Sequence, residues 1–159
     1  MASAATAQEL NPSLSGIGFL VGHWNSGVGK VADTGGTSKG SSDVTVEAGG
    51  AALLRKDHTE LFDSQGKPSG SFDQIMLIYP EDGAMHADYT DGQHVIHYTS
   101  AVITAGQSVT FASAPGRGPV FSLSYNLQAP DTLAVSFGMI PPGQAMVHSI
   151  ASGTLKKSN

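Results

Sequence analysis

Gly18-Phe19-Leu20-Val21-Gly22-His23-Trp24-Asn25-Ser26-Gly27-Val28-Gly29-Lys30-Val31 is the stretch where the hydrophobic period of the chain changes. Upstream of it, Leu14, Ile17, Leu20 and Val21 recur at helical spacing. Asn11 stands at a helix N-cap position and Pro12 at the first helical position. This predicts a short helix or 3₁₀ turn ending near Gly22. From His23 the period becomes two, and residues 23–32 read as a first strand. The stretch also holds the only Trp, Trp24.

Working outward, the same period recurs to the end of the chain. Asp43-Val44-Thr45-Val46-Glu47 alternates polar and apolar residues, as a half-buried strand does. Further strands are expected over 52–62, 72–79, 84–90, 93–103, 108–113, 120–127, 132–139 and 145–156. Residues 33–41 and 63–71 read as loops. Turn signals fall every ~8–12 residues with no helical pattern between them, which argues a sandwich or an up-and-down barrel. A meander of about ten strands favours closure, because a barrel removes the exposed edges. The expected fold is an all-β, antiparallel up-and-down barrel with a short N-terminal helix.

Composition agrees with that reading. The chain has 159 residues, enough for one core, and carries 20 Gly, 8 Pro and only 13% charged residues. We read residues 1–12 as a flexible tail and 13–159 as one barrel domain. The net charge of −5, with no basic stripe, argues against a nucleic-acid partner. No apolar run is long enough for a helical membrane span. Cys is absent, which removes disulfides and thiolate chemistry. Ala2-Ser3-Ala4 and Ala5-Thr6-Ala7 have the small-x-small form of a signal-peptidase site. They point to a periplasmic or secreted protein, the alternative being a cytoplasmic one with an Ala/Ser tail. Nothing in the sequence sets an oligomeric state.

One hairpin can be read in register. Asp91-Gly92 signals a two-residue turn, which places Thr90 opposite Gln93, Tyr89 opposite His94, and His86 opposite His97. Met85, Ala87, Tyr89, His94, Ile96 and Tyr98 then share the more apolar face, assigned to the interior. His86, Asp88, Val95, His97 and Thr99 share the other.

Gly22-His23-Trp24 resembles the G-x-W opening of the calycin barrels. Phe19-Leu20-Val21-Gly22-His23-Trp24, the hairpin Asp91-Gly92-Gln93-His94-Val95-Ile96-His97-Tyr98 and the basic end Gly153-Thr154-Leu155-Lys156-Lys157 together resemble bacterial lipocalin-like domains of uncharacterised function. More distantly they resemble nitrobindin-like and fatty-acid-binding-protein-like barrels. The resemblance implies that Trp24 plugs the closed end of the barrel, packed by the stem of Lys156 or Lys157. It also implies a haem alternative, because nitrobindins take an axial His from a late strand, where this chain has His148.

The expected function is binding of a small apolar or amphipathic molecule inside the barrel, with no cofactor. The stripes Phe121/Leu123/Tyr125 and Leu133/Val135/Phe137 would line or fill the interior. Arg55, Met76, Tyr89, His94, Ile96, Tyr98 and Phe137 are the ligand-binding candidates. A third reading is a cofactor-free cyclase, isomerase or hydratase using His94, Tyr98 and Tyr89 as acid–base groups. His86, Asp88 and His97 are a cross-strand set that can hold a divalent metal, although a solvated face is the plainer reading, and no metal site is expected. Arg55, Asp57 and Thr59 share one face of their strand and Lys56, His58 and Glu60 the other. Both faces are polar, so the strand has no evident inside, and an Arg–Asp pair two apart is most simply a structural or surface pair. The chain has no G-x-S-x-G elbow, P-loop or dinucleotide fingerprint. Arg117, in Pro115-Gly116-Arg117-Gly118-Pro119, reads as a solvated turn residue.

Overall fold

The computed structural model describes residues 9–158, so the small-residue motifs at 2–7 lie outside the described residues. Eleven strands form one sheet: β1 (Gly22–Ser26), β2 (Gly29–Val31), β3 (Gly36–Glu47), β4 (Ala52–Phe62), β5 (Pro68–Glu81), β6 (Ala84–Thr90), β7 (Val95–Thr104), β8 (Ser108–Ser113), β9 (Val120–Ala129), β10 (Thr132–Ile140) and β11 (His148–Lys157). Every strand from β3 to β11 pairs antiparallel with its sequence neighbour. β1 and β2 are two pieces of one stave, since both pair with β3 on one side and β11 on the other. The sheet therefore closes as a ten-stave antiparallel barrel. The stave breaks at Gly27 and exposed Val28, where Gly27 still donates its N–H to Thr154 O.

The period change in the opening stretch corresponds to a real boundary. Pro12–Leu20 is a 3₁₀ helix that buries Leu14, Ile17 and Leu20. Asn11 is at its N-cap, but the side chain makes no capping bond; its own N–H goes to Gly50 O instead. Leu10 packs against the core as well, so Leu10 and Asn11 are tied to the barrel ahead of the helix. The helix contacts β5 and β7, and Gly16 O accepts the N–H of Gly106 in the β7–β8 turn. It therefore covers the barrel end formed by the β3–β4 and β7–β8 connections.

Trp24 completes that closed end. It is 1% exposed, donates its indole N–H to Leu20 O at 2.8 Å, and carries Lys157 Nζ 5.4 Å above its ring. Lys157 is thus the packing cation. Lys156 turns to the Thr132 hydroxyl and Asp131. Gly22 is required here. Its φ is +143°, and a Cβ on it would lie 2.6 Å from Lys157 Cε.

Two Asp-Gly pairs turn differently. Asp82 and Gly83 both have positive φ and close a two-residue hairpin between β5 and β6. Asp91-Gly92 instead opens a four-residue connection, with Thr90 paired to Val95. The cause is the Asp91 carboxylate. Its Oδ1 accepts the backbone N–H of Gln93 and of His94, at 2.9 and 2.7 Å. The register therefore shifts by two from the expected one. Tyr89 faces Ile96, Asp88 faces His97 and Ala87 faces Tyr98. An even shift leaves each strand's faces unchanged, so Met85, Ala87, Ile96 and Tyr98 are buried as expected. His94 is the exception, because it leaves the strand.

Three other strand starts differ most from expectation. β3 starts at Gly36 and β5 at Pro68, well inside the expected loops, and β11 starts at His148 rather than 145. The polar, Gly-rich segment 36–42 has little strand propensity of its own. It is held extended by ladders on both sides, to β1 and β2 and to β4.

Candidate ligand site in the barrel interior

The interior is not uniform along the barrel axis. Near the helix, Leu53, Ile78, Val109 and Leu133 are 0–1% exposed. Toward the opposite rim, Thr59, Gln74, Tyr89, Phe121, Val135 and Phe137 are only half-buried. They alternate with outward residues and pair in register with other inward residues. An inward side chain in a closed barrel meets solvent only through an open end. The barrel is therefore plugged at the helix end and open at the end carrying the loops 32–35, 63–67, 91–94, 114–119 and 141–147.

Between plug and mouth lies a polar cluster. Arg55 is 5% exposed. It stands in one inward row with Val44, Met76, Tyr89 and Ile96. Its Nη1 donates to the Tyr125 hydroxyl at 2.6 Å, its guanidinium lies 5.6 Å from the centre of the Tyr89 ring, and its Nε is 3.2 Å from Asp57 Oδ2. Burial disfavours the guanidinium, but Tyr125, Asp57 and Tyr89 outweigh it and hold Arg55 charged. Burial raises the Asp57 carboxyl above the usual carboxylate range, although Arg55 and Ser42 work against it. Arg55 Nε and Asp57 Oδ1 are both buried without a hydrogen-bond partner among the described residues. Each such orphan costs about 1–3 kcal/mol.

A second chain of bonds runs to the mouth. The Thr59 hydroxyl donates to Gln74 Oε1, Gln74 Nε2 donates to the Tyr89 hydroxyl, and Tyr89 donates to Asp91 Oδ2. Burial raises the Tyr89 phenol, more strongly so at Tyr98, which is 2% exposed. Both phenols are therefore neutral donors at ordinary pH. Phe121 and Phe137 stack at 6.0 Å and form an apolar wall beside them.

Most of the expected ligand-binding residues meet here. Arg55, Met76, Tyr89, Ile96, Tyr98 and Phe137 all point inward. His94 does not: its side chain is 72% exposed in the turn, held by Asp91. The acid–base set His94, Tyr98 and Tyr89 is consequently not brought together. The metal candidates also separate. His97 bonds Asp88 at 2.8 Å, while His86 is not across from His97 but stacks on Tyr79. No group of three potential ligands converges among the described residues. The Arg–Asp pair, expected as a structural or surface pair, is buried rather than on the surface. Tyr125, Gln74 and Thr59 were not singled out by sequence as ligand contacts, and only the Phe121/Leu123/Tyr125 stripe pointed to the first of them.

His148 is the first residue of β11. It is exposed, with Nε2 2.9 Å from Gln144 Oε1. Its register partner is Met139, whose partner on β9 is Phe121. Directly opposed residues share a side of the sheet, so His148 stands on the rim beside the Phe121–Phe137 wall. Met146 and Val147 before it are 76% and 50% exposed. A cleft of about 630 Å³ is lined by residues 144–148. A second cleft of about 570 Å³ runs over β3–β6, where Lys56, His58, Asp73 and Ile75 face solvent on the outside of the barrel.

No protein-family profile matches the chain, and no curated protein matches it by sequence. Solved structures do. The crystal structure of Rv2717c from M. tuberculosis superposes with a TM-score of 0.62 at 16% identity, covering 95% of this chain and 100% of that one. The likeness is one of fold. A structure of EF1p2_mFAP2b bound to DFHBI aligns over 93% of this chain and 100% of its own, with a TM-score of 0.44 and 13% identity.

Proposed function

We propose that this barrel, of the calycin kind, binds a small amphipathic molecule through its open end, and that it works in the periplasm or outside the cell. One observation carries the binding reading. Inward side chains are fully buried at the helix end and half-exposed at the mouth, above a buried Arg–Asp–Tyr cluster. A bound molecule would cover Phe121, Val135, Phe137 and Tyr89, and burial supplies about 25 cal/mol per Å² of apolar surface. Arg55, Gln74 and Tyr89 would orient its polar end.

Native mass spectrometry of the protein purified from its source tests this. The expected result is a retained small molecule, lost in Val135→Phe, which fills the mouth. Retention unchanged by Val135→Phe would place the molecule elsewhere and refute the reading.

Haem is the second reading, favoured by the position of His148 on the rim beside Met139, Phe121 and Phe137. His148 would hold the iron, and bound haem would supply redox and gas-ligand chemistry. Its exposure and its bond to Gln144 rank this reading below the first. Hemin addition should give a Soret shift that His148→Ala abolishes; an identical spectrum in both proteins would remove His148 as the ligand.

A further inference from the structure

We infer that the interior selects a neutral ligand with an apolar body and an end that both donates and accepts hydrogen bonds, of the primary or secondary amide class. The inference rests on the interior-binding reading above and narrows it.

Two atoms carry it. Arg55 Nε and Asp57 Oδ1 are buried, and neither has a hydrogen-bond partner among the described residues. One is a donor and the other an acceptor. They belong to residues two apart on β4, on the same inward face. The Ser42 hydroxyl, on the residue opposite Asp57 on β3, also favours its carboxylate. Nη1 donates to Tyr125, and Asp57 Oδ2 is 3.2 Å from Nε but out of line for its N–H. The Tyr89 hydroxyl, above them, is committed to Gln74 and Asp91.

Charge points the same way. Arg55 and Asp57 together are neutral, so the cluster offers no net counter-charge to an ion. A carboxylate end would meet Arg55 but stand against Asp57, and an ammonium end would do the reverse. Either ion would be desolvated for a partner already shared. An amide carbonyl accepts from Arg55 Nε while its N–H donates to Asp57 Oδ1, and neither atom stays orphaned. An ester offers only the acceptor and leaves Asp57 Oδ1 unpaired.

Calorimetric titration with octanamide, octanoate, octylamine and methyl octanoate tests this, because the four share a chain and differ at the end. Octanamide should bind at least about tenfold tighter than each of the others, the effect of one unmet buried hydrogen bond. Asp57→Asn removes the negative charge, so octanoate should then overtake octanamide. Circular dichroism checks that variant's fold, and the wild-type order is a separate test that needs no variant. Octanoate, octylamine or methyl octanoate binding as tightly as octanamide to the wild type would overturn the amide inference and leave interior binding standing. If none of the four binds and native mass spectrometry finds no retained molecule, the interior-binding reading falls with it.

Discussion

Arg55 on β4 and Tyr125 on β9 join opposite walls of the barrel through one hydrogen bond of 2.6 Å. Five strand steps separate them in a ring of ten. No ladder links those walls directly, so the bond ties together staves that the sheet holds only through their neighbours. Tyr125→Phe keeps the ring and removes this tie. We expect a loss of about 1–3 kcal/mol, the effect of stranding a buried donor. Urea denaturation measures it, and an unchanged midpoint would show that the bond contributes nothing.

The closed end makes a second set of expectations. Trp24→Ala removes a fully buried indole and should destabilise by about 3–5 kcal/mol. Lys157→Ala should lose only about 0.5–1 kcal/mol, the size of a surface cation–π contact. Lys157→Arg should be tolerated, since a guanidinium stacks well on indole. Fluorescence reports all but the first, because Trp24 is the only indole. A red-shifted emission in the native wild type would contradict its burial.

Acid titration separates three carboxylates. Burial raises Asp57, whereas Asp91 and Asp88 are lowered. Burial also opposes the charge at Asp91 and Asp88. It is outweighed by the backbone bonds from His94 and Gln93 at Asp91, and by the bonds from His97 and Tyr79 at Asp88. The signs follow. A lowered folded pKa contributes stability present above the ordinary carboxylate value and lost as pH falls through the folded one. A raised pKa contributes stability that is lost as pH rises through it. Asp91→Asn should therefore be less stable than wild type near neutral pH, with the gap closing as pH falls below the ordinary carboxylate range. A gap independent of pH would show that the Asp91 charge does not hold the turn. Carboxyl NMR should place Asp57 above the usual value and Asp91 below it.

The observed register gives a fourth prediction. His94→Ala should leave ligand retention unchanged, because His94 is in solvent. Tyr89→Ala should weaken retention, because Tyr89 lies at the mouth. The opposite outcome would restore the two-residue turn and return His94 to the interior.

The fold was largely legible because period two persists through nearly every strand and the helical spacing stops at one place, Gly22. The faces of β6 and β7 were legible too, since an error of two residues does not exchange them. The turn was not. Asp91-Gly92 and Asp82-Gly83 are the same dipeptide, and what distinguishes them is whether the Asp carboxylate captures the amides that follow. The inside of β4 was equally hidden. Leu53 and Leu61 bracket one face and Leu54 and Phe62 the other, with charges between on both. Only closure of the barrel decides that Arg55, Asp57 and Thr59 point inward. The tie from Asn11 to Gly50 and the long β3 were invisible for a related reason: both are made by partners distant in sequence.

Amide-resolved NMR during octanamide titration tests the central claim most directly, because it locates the bound molecule. The account predicts shifts concentrated at Arg55, Asp57, Tyr89, Phe121 and Phe137, with His97, Asp73 and His58 on the outer face unmoved. Shifts gathered around His58, Asp73 and Ile75 on the outer face would contradict binding in the barrel interior.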